Sequence, residues 1–193
     1  MNGKYLLMTG APGSKWSGVA NNLWISEDFD QTDDDTTREY RHHSNVHGSL
    51  YHSGAYFDPM MEFKFDKKEW DLPFSGEGVR LIKSHTLSTQ LPNYHKYPIV
   101  MVMRNSYSCW EWWNDCGGFD ITYPDYKWYK NQDNMFTQIQ LQNQAITTFI
   151  YKNRDKVTQC YNNLEVLNTL GLSEVFAKDE YRKKDVSVYV YQP

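Results

Sequence analysis

The chain has 193 residues and a formal net charge of −4. That length supports one sizeable hydrophobic core rather than two, and the acidic balance excludes general nucleic-acid binding, which needs a basic stripe. With 40% apolar and 16% aromatic residues, the composition also excludes a disordered chain.

In chain order, Met1 to Lys4 lead into an apolar run of five residues, Tyr5 to Thr9, too short for a signal peptide or a membrane span. No other apolar run approaches the roughly 20 residues a span requires, so a soluble, cytoplasmic protein with no membrane partner is expected. Tyr5-Leu6-Leu7-Met8-Thr9 reads as a buried strand that stops at the turn Gly10-Ala11-Pro12-Gly13. Val19, Leu23 and Trp24 then recur at helical spacing over 17–24. Strand, glycine-rich loop and helix together form the opening unit of a nucleotide-binding α/β sheet.

Residues 26–75 hold the acidic run Asp33-Asp34-Asp35, the histidines His42, His43, His47 and His52, and few periodic apolar positions. They read as an irregular insertion, of a length usually associated with function. The histidine spacing fits no metal signature, so these side chains are expected at the surface or in an acceptor pocket. A second strand is predicted over 79–83. The clearest strand is Ile99-Val100-Met101-Val102-Met103, apolar throughout as for a strand covered on both faces. Ser108 with Glu111 resembles a capping box, which places a helix start there.

Residues 117–133 read as a loop, and the aromatic stretch 110–129 as a wall for an acceptor pocket or for the core. A long helix is predicted from Asn134, with Met135, Ile139, Ala145 or Ile146, and Phe149 on one stripe that Gln142 interrupts. A short helix over 164–172 ends at Gly171. The alternating tail 186–191 reads as a strand at a sheet edge. The three cysteines, Cys109, Cys116 and Cys160, show no CxxC spacing. They are read as half-buried free thiols, with Cys109 and Cys116 able to share a helix face. No repeat is visible. The expectation is one α/β domain over 1–193, three-layered, with a mostly parallel central sheet flanked by helices.

Three constellations carry chemistry. The segment Thr9-Gly10-Ala11-Pro12-Gly13-Ser14-Lys15-Trp16-Ser17 combines backbone amides, a helix N-terminus, the hydroxyls of Ser14 and Ser17 and one cation, Lys15, the ingredients of an anion site. It lacks the Gly-Lys-Ser or Gly-Lys-Thr of a Walker A loop. Lys83-Ser84-His85 closes a strand and offers an imidazole suited to proton transfer near neutral pH. Arg104-Asn105 closes a later strand, and an Arg fork suits paired hydrogen bonds to phosphate. In an open parallel sheet the carboxyl ends of strands share one crevice, where all three would converge.

Together these segments resemble the P-loop sulfotransferases. Pro12 to Ser17 aligns without a gap on the family loop Pro-x-Ser-Gly-Thr-Thr, matching at Pro12 and Ser14, with Ser17 a fair hydroxyl substitute and Lys15-Trp16 departing from Gly-Thr. Lys83-Ser84-His85 is similar to Lys-Thr-His. The apolar strand into Arg104-Asn105 follows the family, but Trp112 stands where a Ser is usual, with Ser106 and Ser108 as substitutes. The resemblance covers about 4–115. The distal Arg-Lys-Gly segment is not visible, although Arg182-Lys183-Lys184 lies comparably late.

The resemblance implies a P-loop-type fold and 3′-phosphoadenosine 5′-phosphosulfate (PAPS) as donor, with adenosine 3′,5′-bisphosphate as product and no metal. The acceptor is expected to be a small molecule or glycan. It implies His85 as general base with Lys83 and Lys15 as charge stabilisers. Pro12, Gly13, Ser14, Lys15, Trp16, Ser17, Arg104 and Ser108 would bind the donor. A P-loop kinase for nucleotides or small molecules and a degenerate non-catalytic nucleotide-binding domain are the alternatives. Oligomeric state and the identity of the acceptor are not readable from the sequence.

Overall fold

A five-stranded sheet organises the chain, in the order β2-β1-β3-β5-β4. The computed structural model describes residues 4–32, 70, 74–115 and 131–193. Most of the 26–75 insertion, with its four histidines, lies outside them, as do Cys116 and the part of the aromatic stretch 110–129 beyond Asp115.

β1 (Tyr5–Gly10) lies between β2 (Arg80–Lys83) and β3 (Ile99–Met103) and runs parallel to both. β5 (Ser187–Tyr191) pairs antiparallel with β3, and β4 (Val157–Cys160) pairs antiparallel with β5. The sheet is therefore mixed, with β5 reversed. The tail strand is not at an edge: β4 covers its outer side and is itself the edge, its Thr158 and Gln159 exposed.

Side-chain alternation sorts the apolar residues onto two faces. Leu6, Met8, Leu81, Val100, Val102, Val188 and Val190 pack on Val19, Ala20 and Leu23 of α1 (Trp16–Trp24) and on Val166, Leu167 and Leu170 of α4 (Asn163–Leu170). Leu7, Ile82, Ile99, Met101 and Tyr191 pack on Leu87 and Leu91 of the 3-10 helix Thr86–Tyr94 and on Ile146 and Phe149 of α3 (Gln132–Lys152). Helices thus cover both faces. Because β1 and β3 are buried on both sides, they are continuous apolar runs.

α2 (Ser106–Asp115) begins two residues before the predicted capping box. Asn105 caps it, its Oδ1 accepting from the amides of Tyr107 at 2.9 Å and Ser108 at 3.3 Å. Asn has the short side-chain oxygen this position favours. Asn131 caps α3 in the same way, accepting from Asn134 N. Gln142 does not break the α3 stripe but lies buried within it. Gly171, at φ 68°, ends α4 in the left-handed conformation that glycine adopts without strain. Cys109 and Cys160 are free thiols that are fully rather than half buried. No helix among the described residues is long and apolar enough to cross a membrane.

Candidate functional site

Parallel register puts three strand ends on one side of the sheet. Met8 sits beside Lys83, and Gly10 beside Val102. The loop after β1, the segment Ser84-His85 after β2 and Arg104 after β3 therefore leave the sheet together, at the crevice where open α/β sheets bind ligands. Backbone and side-chain bonds tie the exits. Ser84 N donates to Met8 O at 3.0 Å, and Thr9 Oγ1 donates to His85 O at 3.4 Å.

The first exit is a tight loop. Ser14 N donates to Ala11 O at 3.0 Å, Gly13 has φ 78°, and Lys15 has φ 63°. Two glycines make it possible. A Cβ on Gly10 would come within 2.6 Å of Ser14 Oγ and 2.9 Å of Val102 O, and one on Gly13 within 1.9 Å of Cys109 O. Pro12, Gly13, Ser14, Trp16 and Ser17 are all buried. The Ser14 hydroxyl is buried without a hydrogen-bond partner, an orphaned polar group at the start of a helix. α1 opens at Trp16 with no side-chain cap, so its first turn directs amides and the positive end of its dipole at this loop.

At the second exit, Lys83 is 1% and His85 4% exposed. The Lys83 ammonium lies 5.0 Å from the centre of the Trp16 ring, and the His85 imidazole meets the same indole edge-to-face at 6.3 Å. The His85 carbonyl accepts from Ser88 Oγ at 2.8 Å and from Ser88 N at 3.3 Å as well as from Thr9.

At the third exit, Arg104 Nη1 donates to Ser108 O at 2.8 Å and to Gly13 O at 3.5 Å, which fastens the loop to the start of α2. Its Nε faces the Asp185 carboxylate at 3.5 Å. Asn143 on α3 holds the bend after β3, donating to Arg104 O at 2.9 Å and Ser106 Oγ at 3.0 Å. The Cys109 thiol behind Arg104 is pushed up to about 12 by burial, with the Arg104 charge countering part of that rise.

Lys15 turns toward α2 and the late basic cluster. Its ammonium reaches the Lys184 carbonyl at 3.4 Å and lies 4.8 Å from the centre of the Trp112 ring. The late basic cluster is thus beside the loop, through the backbone of Lys184. The Lys184 side chain is bound to Asp179 at 2.7 Å. Ser108 contributes its carbonyl to Arg104, and its own amide to the Asn105 cap.

A cleft of about 600 Å³ continues from Arg104 across the ends of β5 and β4, lined by Arg104, Asn105, Ser106, Gln159, Tyr161 and Arg182 among others. Sequence reasoning missed this cleft, together with Asn143 and Asp185, because each meets the site only through long-range contacts that no local pattern encodes. Among the described residues no group of three or more His, Cys, Asp or Glu could hold a metal ion.

No protein-family model, curated protein or solved structure matches the chain.

Proposed function

We infer that this protein is a sulfotransferase of P-loop type, transferring the sulfuryl group of PAPS to a hydroxyl or amine of a small molecule or glycan. One observation carries the reading: His85, the loop 10–17 and Arg104 stand in that order along one side of the sheet, on the adjacent strands β2, β1 and β3. A donor with an anion at its centre, a second phosphate to one side and a reacting acceptor on the other needs that order.

The residues fit the donor. Gly10 and Gly13 would let the backbone close around a phosphate-type group, with the orphaned Ser14 hydroxyl and the α1 amides as its donors. Arg104 and Ser108 are the groups assigned to the 3′-phosphate in this reading. The acceptor oxygen or nitrogen attacks sulfur as the bond from sulfur to the 5′-phosphate oxygen breaks. His85 takes the acceptor's proton, and the electron pair leaves with the phosphate as adenosine 3′,5′-bisphosphate. Fixed loop amides, with Lys83, stabilise charge on the sulfuryl and phosphate oxygens, usually the largest catalytic contribution, and Lys15 would join them only by leaving Lys184 O and the Trp112 ring.

Calorimetry with adenosine 3′,5′-bisphosphate against ATP with Mg²⁺ tests the ligand. Tighter binding of the bisphosphate supports the reading, and preference for ATP with Mg²⁺ favours a kinase. A transfer assay with labelled PAPS then compares wild type with His85→Ala, which is expected to lose at least ~100-fold in rate. The second reading, a nucleotide-binding domain without turnover, is favoured by the engagement of Lys15 with Trp112 and Lys184 O and of Arg104 with Asp185. Bisphosphate binding with no transfer to any acceptor tried would support it.

A further inference from the structure

We propose that Trp16 is the positioning residue for His85 and Lys83, setting the plane of the imidazole and the place of the ammonium. This rests on the reading of His85 as proton acceptor and extends it to a residue that departs from the sulfotransferase loop pattern, where Thr is usual.

The side chain of Trp16 is 6% exposed and belongs to the first turn of α1, whereas Lys83 and His85 belong to the end of β2. The indole meets both. Lys83 Nζ lies 5.0 Å from its ring centre, a distance at which the electron-rich face attracts a cation. The His85 ring stands at 84° to the indole with centres 6.3 Å apart, the edge-to-face arrangement that aromatic rings favour.

The rest of His85 is already fixed. Its carbonyl accepts from Thr9 Oγ1 on β1 and from Ser88 N and Oγ in the 3-10 helix. With the backbone held from two elements, the indole packed edge-to-face on the imidazole bears on its side-chain torsion. A Thr at this position would add a hydroxyl at the loop but no surface for the ring or the ammonium. The replacement therefore exchanges one donor at the loop for a wall shared by the two β2-end groups. Part of the charge of the buried Lys83 is thereby directed onto an aromatic face.

Phe keeps a ring face and edge, while Leu keeps only apolar bulk. NMR of the full chain gives a readout independent of turnover. Wild type is expected to show nuclear Overhauser contacts between the Trp16 indole and the His85 imidazole protons. The imidazole resonances should be displaced by the indole ring current, should lose that displacement in Trp16→Leu and should keep part of it in Trp16→Phe. In the transfer assay Trp16→Leu is expected to lose roughly 10-fold or more in kcat with KM for PAPS within about 2-fold, and Trp16→Phe to recover most of it. Absence of the Overhauser contacts in wild type overturns the proposal without any variant having to fold. So does a Trp16→Leu protein whose imidazole resonances stay in place, or whose loss falls on KM instead of kcat. If wild type transfers no sulfuryl group, the functional reading fails while the NMR result still decides the role of Trp16.

Discussion

The ammonium of Lys15 lies 4.8 Å from the centre of the Trp112 ring. These are two of the positions at which the chain departs from the sulfotransferase pattern, and they meet each other across 97 residues. Lys15 holds a left-handed backbone at φ 63°, which turns its side chain toward α2 and the Lys184 carbonyl. The two departures act as a pair that ties the loop to α2. Exposed cation–π contacts contribute about 0.5–1 kcal/mol. A double-mutant cycle with Lys15→Met and Trp112→Leu, read by urea unfolding, is expected to give a coupling in that range. Strict additivity would refute the pairing.

Gly13 is where the loop and α2 press together. A methyl group there would lie 1.9 Å from the Cys109 carbonyl oxygen, a backbone atom, at a backbone φ of 78° that disfavours any side chain. Gly13→Ala is expected to destabilise the fold by about 2–4 kcal/mol, combining the conformational penalty with the displacement of α2. Because Arg104 Nη1 is bonded to Gly13 O, the same change should weaken anion binding. Thermal unfolding with and without adenosine 3′,5′-bisphosphate measures both. An unchanged melting temperature would contradict the packing described.

Arg104 is engaged by a carboxylate that, in the proposed donor site, an incoming phosphate would have to displace. Asp185 Oδ2 lies 3.5 Å from Arg104 Nε, and its side chain is 72% exposed while that of Arg104 is 13% exposed. A pair this open to solvent contributes at most about 1 kcal/mol, so an incoming phosphate can replace it. Asp185→Asn keeps a residue tolerant of φ 57° and removes the competing charge. Binding of adenosine 3′,5′-bisphosphate is expected to tighten by roughly 2- to 5-fold, and binding of adenosine 5′-monophosphate to change less. Calorimetry at two salt concentrations checks this, since the difference should shrink as salt rises. Weaker bisphosphate binding in the variant would mean that Asp185 supports the site rather than competing for it.

What the sequence made legible follows from how locally each element is determined. β3 is apolar at five positions because helices cover both faces of the sheet there, and its bounds coincide with the predicted 99–103. The end of α4 is marked by Gly171, whose φ only glycine adopts freely. β4 escaped detection because its two central residues, Thr158 and Gln159, face solvent at an edge, and the strand is four residues long. The 3-10 helix Thr86–Tyr94 contains Pro92 and has no regular period. β5 alternates as a half-exposed strand would, yet lies inside the sheet, because the hydrogen-bonded side of a strand leaves no mark in side-chain pattern. The same division holds at the site. The loop, His85 and Arg104 follow strands that can be recognised, while Asp185 meets Arg104 from 81 residues away and Lys184 meets Lys15 from 169 residues away.

Cys109 gives the fold an alkaline weakness. Burial raises its thiol from an ordinary value of 9.0 to about 12 in the native state. The unfolded chain therefore releases this proton at lower pH than the folded one. The neutral buried thiol stabilises fully below about pH 9, and that contribution is lost progressively as pH rises from 9 toward 12. By pH 10, one unit above the unfolded value, the loss from this group is on the order of 1 kcal/mol. Cys160 and Tyr181 are raised by burial as well and titrate in the same direction, so the variant comparison isolates Cys109. Cys109→Ala is expected to lose less stability than wild type between pH 8.5 and pH 10.5, as followed by urea unfolding across that range. In native protein at pH 8, the Cys109 thiol should also resist alkylation, since the thiolate is the reactive form and the side chain is buried. Rapid labelling under native conditions, or identical alkaline slopes for wild type and variant, would show that the thiol is not held neutral behind Arg104.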